Sequence, residues 1–123
     1  MARILLVEDD DQVRTMLKLL LTSSGYEVWE APNGMRVCDM HQEQRFDLII
    51  TDLVMPDIEG LGMIMELRRR DQDVRIIAMS GGGQDYLKIA HKLGAQAILS
   101  KPFGDKELLG TVRQVLETKD QPN

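Results

Sequence analysis

Strand-like apolar runs and segments with helical periodicity alternate five times along this chain, and this alternation restricts the fold more than any other feature. The strand-like runs fall at residues 4–7, 26–31, 46–51, 74–79 and 97–100. Apolar residues spaced three and four apart follow each run, and Gly25 and Gly94 are placed to end the first and fourth helices. Strands separated by helices form a parallel sheet with helices on both faces. The sequence therefore predicts a doubly wound α/β fold of five strands and five helices.

Charged and polar side chains follow four of the five predicted strands. Glu8 and Asp9 follow the first strand, Asp52 the third, Ser80 the fourth and Lys101 the fifth. In open sheets of this kind, ligands bind outside the carboxyl ends of the strands. We therefore expect these side chains to converge on one site.

Asp52 is the residue around which this site is organised. It ends an apolar strand, and Pro56 prevents that strand from simply continuing. Burying an unpaired carboxylate is costly, so an Asp in this position needs a partner, a metal or a chemical role. On its turn preference alone, Asp52 could equally be a cap of the following turn.

The acidic residues at these strand ends predict a metal site. Glu8, Asp9 and Asp52 would bring two or three carboxylates together, and a hard divalent cation relieves their mutual repulsion. Mg²⁺ fits best because it takes oxygen ligands and keeps several waters, so that one or two carboxylates and a phosphate oxygen suffice. Ca²⁺ is the competing interpretation, but the spacing lacks the long acidic loop of a dedicated calcium site. An acidic surface patch without a metal is the third alternative.

Lys101 and Ser80 add a cation and a hydroxyl group to these carboxylates. Lys101 can pair with Asp52 at rest and with a phosphoryl oxygen when one arrives. Ser80 and the backbone N–H groups of residues 81–83 offer hydrogen bonds to an anion. Each signal is weak alone, since Lys-Pro can be a simple strand end and Ser-Gly-Gly-Gly a flexible loop. Together with the carboxylates they predict phosphoryl transfer to Asp52, with metal and lysine neutralising the transferring group.

Composition excludes several other classes of protein. A chain of 123 residues suffices for one domain with its own core, predicted as residues 1–118 followed by a polar tail at 119–123. The net charge of −5 argues against direct nucleic-acid binding, and we expect Arg68, Arg69 and Arg70 to be a solvated helix end. One cysteine rules out an internal disulfide, no apolar run approaches the ~20 residues that cross a bilayer, and the N terminus lacks a signal-peptide core. We expect a cytoplasmic protein that does not insert into membranes.

The chain resembles the receiver domains of response regulators in two-component signalling across essentially its whole length. The resemblance is carried by Leu-Val-Glu-Asp-Asp at 6–10, Thr-Asp-Leu-Val-Met-Pro at 51–56, Met-Ser-Gly at 79–81, Gly-Ala at 94–95 and Leu-Ser-Lys-Pro-Phe at 99–103. These motifs stand in the order and spacing of the family. The resemblance implies a flavodoxin-like sheet with strand order 2-1-3-4-5.

The same resemblance implies the metal ligands and the phosphoacceptor. Asp52 would accept the phosphoryl group, and Asp9, Asp52 and the backbone carbonyl of Val54 would bind Mg²⁺. Glu8 would hold the ion through a water molecule.

The resemblance further implies a phosphorylation-dependent switch. Ser80 would bind the phosphoryl group and move toward it, and Lys101 would bind a second phosphoryl oxygen. The phosphoryl group would come from a histidine kinase or a histidine phosphotransfer protein. The signal would pass to a downstream protein or a fused output domain through the face of the fourth helix, fifth strand and fifth helix. Such a protein assists only its own phosphorylation and dephosphorylation and is not otherwise an enzyme.

Two other functions stand as alternatives. A small phosphatase with an aspartyl-phosphate intermediate uses the same nucleophile, but it usually needs a second acid nearby, and Leu53 and Val54 offer none. A flavin-binding module has a similar topology, but it needs a phosphate-binding loop after the first strand, where residues 8–11 are all acidic.

Three further positions carry expectations. Many receivers have an aromatic residue three places before the lysine, and this aromatic side chain turns inward on activation. Ile98 occupies that place here. We therefore expect a smaller or differently built change on the face of the fourth helix, fifth strand and fifth helix. His41 could be a phosphorelay histidine, but its place on the apolar face of the second helix favours a packing role. Leu87 falls outside the apolar stripe of the fourth helix, so we expect it to be exposed and open to a partner.

Overall fold

The computed structural model describes residues 1–53, 58–81 and 84–118, and these residues form five strands and five helices in strict alternation. The elements are β1 (Arg3–Val7), α1 (Asp11–Ser23), β2 (Glu27–Ala31), α2 (Val37–Gln44), β3 (Leu48–Asp52), α3 (Ile58–Arg70), β4 (Ile76–Ser80), α4 (Gln84–Leu93), β5 (Ala97–Ser100) and α5 (Asp105–Glu117). All strand pairs are parallel, in the order β2-β1-β3-β4-β5. The predicted doubly wound, flavodoxin-like sheet with strand order 2-1-3-4-5 is confirmed.

Helices cover both faces of the sheet because side chains along each strand alternate between two cores. In β3, Ile49 packs in the core formed with α2, α3 and α4, whereas Leu48 and Ile50 pack in the core formed with α1 and α5. These strand residues are fully buried, as expected for continuous apolar runs in a sheet covered on both sides. The strand ends are therefore the places where this sheet can present polar side chains.

The ends of α1 and α4 follow from local sequence signals. The Asp10 side chain accepts hydrogen bonds from the N–H groups of Gln12 and Val13 at 2.9 and 3.0 Å, which caps α1. Gly25 and Gly94 both have positive φ, +98° and +137°, and follow the ends of α1 and α4. The predicted ends of these two helices are confirmed.

The third and fourth strands begin two residues later and end one residue later than predicted. Asp52 and Ser80 are therefore the last residues of β3 and β4 rather than the residues that follow them. Pairing across the sheet extends both strands, because Asp52 lies opposite Met79 and Ser80 lies opposite Ser100. Both polar residues are consequently held by the sheet itself.

The expectation that Leu87 is exposed is wrong. Leu87 is 1% exposed and belongs to the core under α4, whereas Ile89 is 46% exposed. The helix has apolar residues at 86, 87, 89, 90 and 93, so its periodicity allows more than one inward face. Packing on the sheet selects the face with Leu87 and Ala90 at its centre.

None of the helices in the described part of the chain combines the length and apolar character needed to cross a membrane.

Candidate functional site

The carboxyl ends of β1 and β3 place three carboxylates side by side. The two strands are neighbours, with Val7 opposite Thr51, so Glu8 and Asp9 leave β1 beside Asp52. One carboxylate oxygen from each of the three acidic residues lies within 4.8 Å of the other two. The structure thus brings together the acidic residues that the sequence placed at separate strand ends.

Lys101 brings an ammonium group to these carboxylates from the end of β5. Its Nζ lies 2.9 Å from Oδ1 of Asp52 and 3.2 Å from Oε1 of Glu8. Its backbone N–H donates to the carbonyl oxygen of Ser80 at 2.9 Å, which fixes the main chain beside β4. Burial lowers the pKa of Lys101, but the hydrogen bond and charge of Asp52, together with those of Glu8, outweigh burial and raise the pKa overall. Lys101 is therefore held as a cation between two carboxylates.

Glu8 is the most deeply buried member of the acidic cluster, with 2% of its surface exposed. Its Oε2 accepts a hydrogen bond from the backbone N–H of Asp10 at 3.2 Å. Burial raises the pKa of Glu8 above its usual range; the Asp10 amide opposes this effect and the negative charge of Asp52 reinforces it. Any further positive charge brought to the cluster therefore stabilises the ionised form of this buried carboxyl group.

Arg14 supports the acidic cluster from α1, and sequence reasoning missed it. Its Nη1 donates to the backbone carbonyl oxygen of Glu8 at 2.7 Å, and its other nitrogens contact Asp11 and Glu30 at 2.6 and 3.3 Å. Arg14 follows the Asp10 cap by about one helical turn, so the sequence could place it near the start of α1. No sequence signal shows that an arginine side chain ends at a backbone carbonyl.

Ser80 lies at the end of β4, one residue beyond the position opposite Asp52, and only 1% of its surface is exposed. Gly81 follows it, and a Cβ there would lie 4.0 Å from the Cβ of Lys101, which is ordinary van der Waals contact. Val54, whose carbonyl was predicted as a metal ligand, lies outside the described residues. Residues 82–83 of the glycine run and the predicted tail at 119–123 lie outside them too.

The donor set of the acidic cluster fits Mg²⁺. Glu8, Asp9 and Asp52 supply only oxygen atoms, which hard cations prefer. Three carboxylates against the single ammonium group of Lys101 leave two negative charges uncompensated, which matches a dication. The chemistry of the residues present thus agrees with the ion that the sequence predicted.

A cavity of about 480 Å³ opens beside the carboxylates. The connection between β2 and α2 forms one wall, with Gly34 and Met35, and the start of α3 forms another, with Glu59 and Met63. Sequence reasoning did not single out Glu59, because an acidic residue in the first turn of a helix is ordinary.

His41 lies apart from this site, at the opposite edge of the sheet. It is 4% exposed; its Nδ1 accepts the backbone N–H of Phe46 at 3.0 Å, and its Nε2 lies 2.8 Å from Oδ2 of Asp71. Phe46 precedes β3 and Asp71 precedes β4, so these contacts stand at the amino ends of the strands. His41 is thus a buried packing residue with two hydrogen bonds, in agreement with the prediction.

The arginines at the end of α3 do not form a free basic patch. Arg69 and Arg70 each contact Glu66 at 2.6 Å, and the two hydrogen bonds lower the pKa of Glu66 to about 2. Arg68 was expected to be solvated, but it is partly buried and its Nη2 donates to the carbonyl oxygen of Gly94 at 2.8 Å. The end of α4 packs against α3 at this point, which the sequence of α3 alone does not show.

Known proteins match this chain over most of its length. A family model described as the response regulator receiver domain matches residues 4–113. The chain is 35% identical over 115 residues to the chemotaxis protein CheY of Thermotoga maritima, covering 92% of this chain and 96% of that protein. It is 38% identical over 124 residues to the sensor kinase CckA of Brucella abortus, covering 97% of this chain and 13% of the kinase.

A solved structure resembles the whole arrangement. The crystal structure of the response regulator TrrA from Thermotoga maritima, in complex with Mg²⁺-BeF, is 31% identical in sequence, with a TM-score of 0.83. The match covers 94% of this chain and 99% of that chain.

Proposed function

The chain belongs to the response regulator receiver domain family of two-component signalling, and from this premise we propose that it is a phosphorylation-dependent switch with Asp52 as its phosphoacceptor. Residues 1–118 are the proposed receiver domain, followed by a polar tail at 119–123. The observation that carries the proposal is the 2.9 Å contact between Lys101 Nζ and Asp52 Oδ1, inside a cluster of three carboxylates. This arrangement places a nucleophilic carboxylate beside a cation. When Asp52 carries a phosphoryl group, Lys101 can contact a phosphoryl oxygen in place of the carboxylate.

The side chains of the cluster have distinct parts in the proposed reaction. A carboxylate oxygen of Asp52 forms a bond to phosphorus while the bond between phosphorus and the donor breaks, and the leaving group takes the electron pair. Lys101 keeps its positive charge and transfers its hydrogen bond from the carboxylate to a phosphoryl oxygen. The hydroxyl of Ser80 donates to another phosphoryl oxygen.

Mg²⁺ is the proposed cofactor. Asp9, Asp52 and the backbone carbonyl of Val54 would bind the ion directly, and Glu8 would hold it through water. When bound, the ion would neutralise negative charge on the transferring phosphoryl group. Support comes from the all-oxygen donor set and its two uncompensated negative charges.

The proposed donor is the phosphohistidine of a histidine kinase or a histidine phosphotransfer protein. Among the relatives, a sensor kinase contains a segment 38% identical to this chain, and a chemotaxis protein matches it over nearly its full length. The signal then passes by protein contact to a downstream partner or to an output domain joined to the chain.

The proposed output face consists of α4, β5 and α5. Ile98 is partly buried there and packs against the core under α2, α3 and α4. An aliphatic side chain has no ring to turn inward, so we expect small displacements at Ile98 on phosphorylation. Methyl NMR spectra of the free and phosphorylated protein measure this change, and a rotamer change at Ile98 as large as that of an aromatic switch would contradict the expectation.

Intact-mass spectrometry tests the phosphoacceptor. The protein is incubated with Mg²⁺ and either phosphoramidate or acetyl phosphate, and we expect the mass of one phosphoryl group to be added. We expect no gain in Asp52→Asn or when EDTA removes the metal. Phosphorylation of Asp52→Asn at the wild-type rate would exclude Asp52 as the acceptor.

The same samples separate the switch from the alternative phosphatase. A switch accumulates one phosphoryl group and releases it slowly, whereas rapid multiple turnover on unrelated phosphate esters would favour a phosphatase. The two positions directly after Asp52 support the switch, because Leu53 and Val54 carry no acid that could protonate a leaving group.

A further inference from the structure

The cavity beside Asp52 is bordered by negative charge. Its lining contains the carboxylates of Glu8, Asp9, Asp52 and Glu59, and no lysine or arginine among the described residues. Lys101 lies outside this lining, and its ammonium group contacts Glu8 and Asp52. Mg²⁺ on Glu8, Asp9 and Asp52, together with Lys101, would offset three of these charges and leave that of Glu59 on the cavity wall.

Among these four acids, Glu59 alone lies outside the acidic cluster. It is exposed in the first turn of α3, and its carboxylate makes no hydrogen bond or ion pair with another described residue. Helix-dipole stabilisation accounts for an acid in this turn but not for its place on the wall of a cavity. Its charge acts on whatever occupies the space next to Asp52.

The cavity has room for a small leaving group. Its volume of about 480 Å³ falls within the ~300–1,000 Å³ typical of small-molecule pockets. The wall formed by the connection between β2 and α2 is uncharged, with Gly34 and Met35, and the uncharged Met63 lies beside Glu59 on the α3 wall. Gly34 and Met63 approach each other closely where the two walls meet, since a Cβ at residue 34 would lie 2.9 Å from the Sδ of Met63.

We propose that this cavity receives the leaving group of the phosphodonor, and that Glu59 makes the site selective for donors with a nitrogen–phosphorus bond over acyl phosphates. The inference rests on the proposed function of Asp52 as phosphoacceptor. It adds a specificity-determining residue that is neither a predicted metal ligand nor a group that touches phosphorus.

Charge on the leaving group explains the selectivity. In phosphoramidate the nitrogen is protonated; the N–P bond breaks, nitrogen keeps the electron pair and neutral ammonia leaves, while an oxygen of Asp52 bonds to phosphorus. In acetyl phosphate the O–P bond breaks and an acetate anion leaves. The carboxylate of Glu59 attracts the positive nitrogen before it departs, and it repels the departing acetate.

Rate constants for phosphorylation by the two donors test the inference. Intact mass is followed over time at saturating Mg²⁺ with phosphoramidate and with acetyl phosphate, for wild type, Glu59→Gln and Glu59→Lys. We expect Glu59→Gln to lower the ratio of the phosphoramidate rate to the acetyl phosphate rate by about three- to tenfold, and Glu59→Lys to lower it further. The effect should shrink in high salt, because exposed charges are screened.

Glu107 provides a matched control. It is also an exposed glutamate in the first turn of a helix, α5, but it does not line the cavity. Glu107→Gln and Glu107→Lys should leave the ratio unchanged, which separates the position of the charge from the loss of net charge or of helix-end stabilisation.

The outcomes distinguish this inference from the proposed function. If neither donor phosphorylates wild type on Asp52, the proposed function fails. If both donors phosphorylate Asp52 and the ratio is the same in wild type and both Glu59 variants, the function stands and the role of Glu59 is refuted. Equal shifts in the Glu59 and Glu107 variants would refute it as well.

Discussion

Arg14 donates a hydrogen bond from Nη1 to the backbone carbonyl oxygen of Glu8 at 2.7 Å, so α1 holds the main chain from which two of the three clustered carboxylates project. The same guanidinium contacts Asp11 and Glu30, which fix its own orientation. Arg14 is therefore a positioning residue, since it touches none of the clustered carboxylate oxygens in this arrangement.

Arg14→Gln should weaken Mg²⁺ binding by about tenfold, the lower end of the effect of residues that orient metal ligands. Removing the hydrogen bond leaves the segment between β1 and α1 less well held, so Glu8 and Asp9 lose their fixed spacing. Isothermal titration calorimetry with MgCl₂ measures the affinity. Lys18→Gln is the control, because Lys18 also contacts Glu30, at 2.9 Å, without reaching Glu8. Equal losses in both variants would show that the contacts with Glu30, and not the bond to Glu8, are responsible.

Lys101→Met should lower the free energy of unfolding by about 1–2 kcal/mol at pH 7 without metal. The variant leaves two buried carboxylates without their cation, and solvent screens part of the interaction because the Lys101 side chain is 28% exposed. The pKa of Lys101 is raised in the folded state, so its contribution is complete below the unfolded pKa and is lost only as the pH rises through the folded pKa.

Urea unfolding with and without MgCl₂ measures this loss. Added Mg²⁺ should reduce the difference between wild type and Lys101→Met, because a bound dication compensates the same carboxylates. The exposed Lys106 offers the control Lys106→Met, which should change stability little. A difference that Mg²⁺ leaves untouched would argue against a metal at this cluster.

Asp71→Asn should lower the free energy of unfolding by about 1–2 kcal/mol at pH 7. Burial raises the pKa of Asp71, but the hydrogen bonds from His41 and from the Asp73 amide outweigh burial and lower the pKa overall. A carboxyl with a lowered folded pKa stabilises the protein above its unfolded pKa and loses that contribution as the pH falls through the folded pKa. The difference between wild type and variant should therefore shrink below about pH 4.

Urea unfolding at pH 7, 5 and 3.5 measures the pH dependence of Asp71. Asp39→Asn, at an exposed position of α2, is the control and should be close to neutral at each pH. A penalty for Asp71→Asn that grows on acidification would contradict the sign derived from the pKa.

Leu87→Ala should cost about 2–4 kcal/mol of unfolding free energy, whereas Ile89→Ala should cost less than about 1 kcal/mol. The two residues are neighbours in α4, but Leu87 is 1% exposed and Ile89 is 46% exposed. Chemical denaturation of both variants compares an apolar truncation in the core with one at the surface. Equal costs would mean that α4 does not present Leu87 to the sheet.

Much of the acidic cluster could be predicted, because its members stand at strand ends. Asp52 follows a run of buried residues, and Glu8 and Asp9 follow another. Once the strands are parallel neighbours, these positions must share an edge of the sheet. The side chains of Arg14 and Glu59 escaped prediction, since a helix position does not show whether a long side chain reaches a backbone carbonyl or borders a cavity.

The rotation of a helix about its axis was less predictable than its existence. Apolar residues surround much of α4, so periodicity alone favoured Ile89 over Leu87 as an inward residue, and the sheet contact decided otherwise. Arg68 was misjudged for a similar reason, because its acceptor at Gly94 belongs to another element.

The sequence by itself determined the alternation of strands and helices, the glycines that end α1 and α4, and the polar residues at the strand ends, because these depend on neighbours within a few positions of the chain. Tertiary structure alone decided which atoms meet. Lys101 reaches Glu8 across 93 positions, and His41 reaches Asp71 across 30. Such contacts depend on how each helix packs and how far each side chain extends, and no local periodicity encodes either quantity.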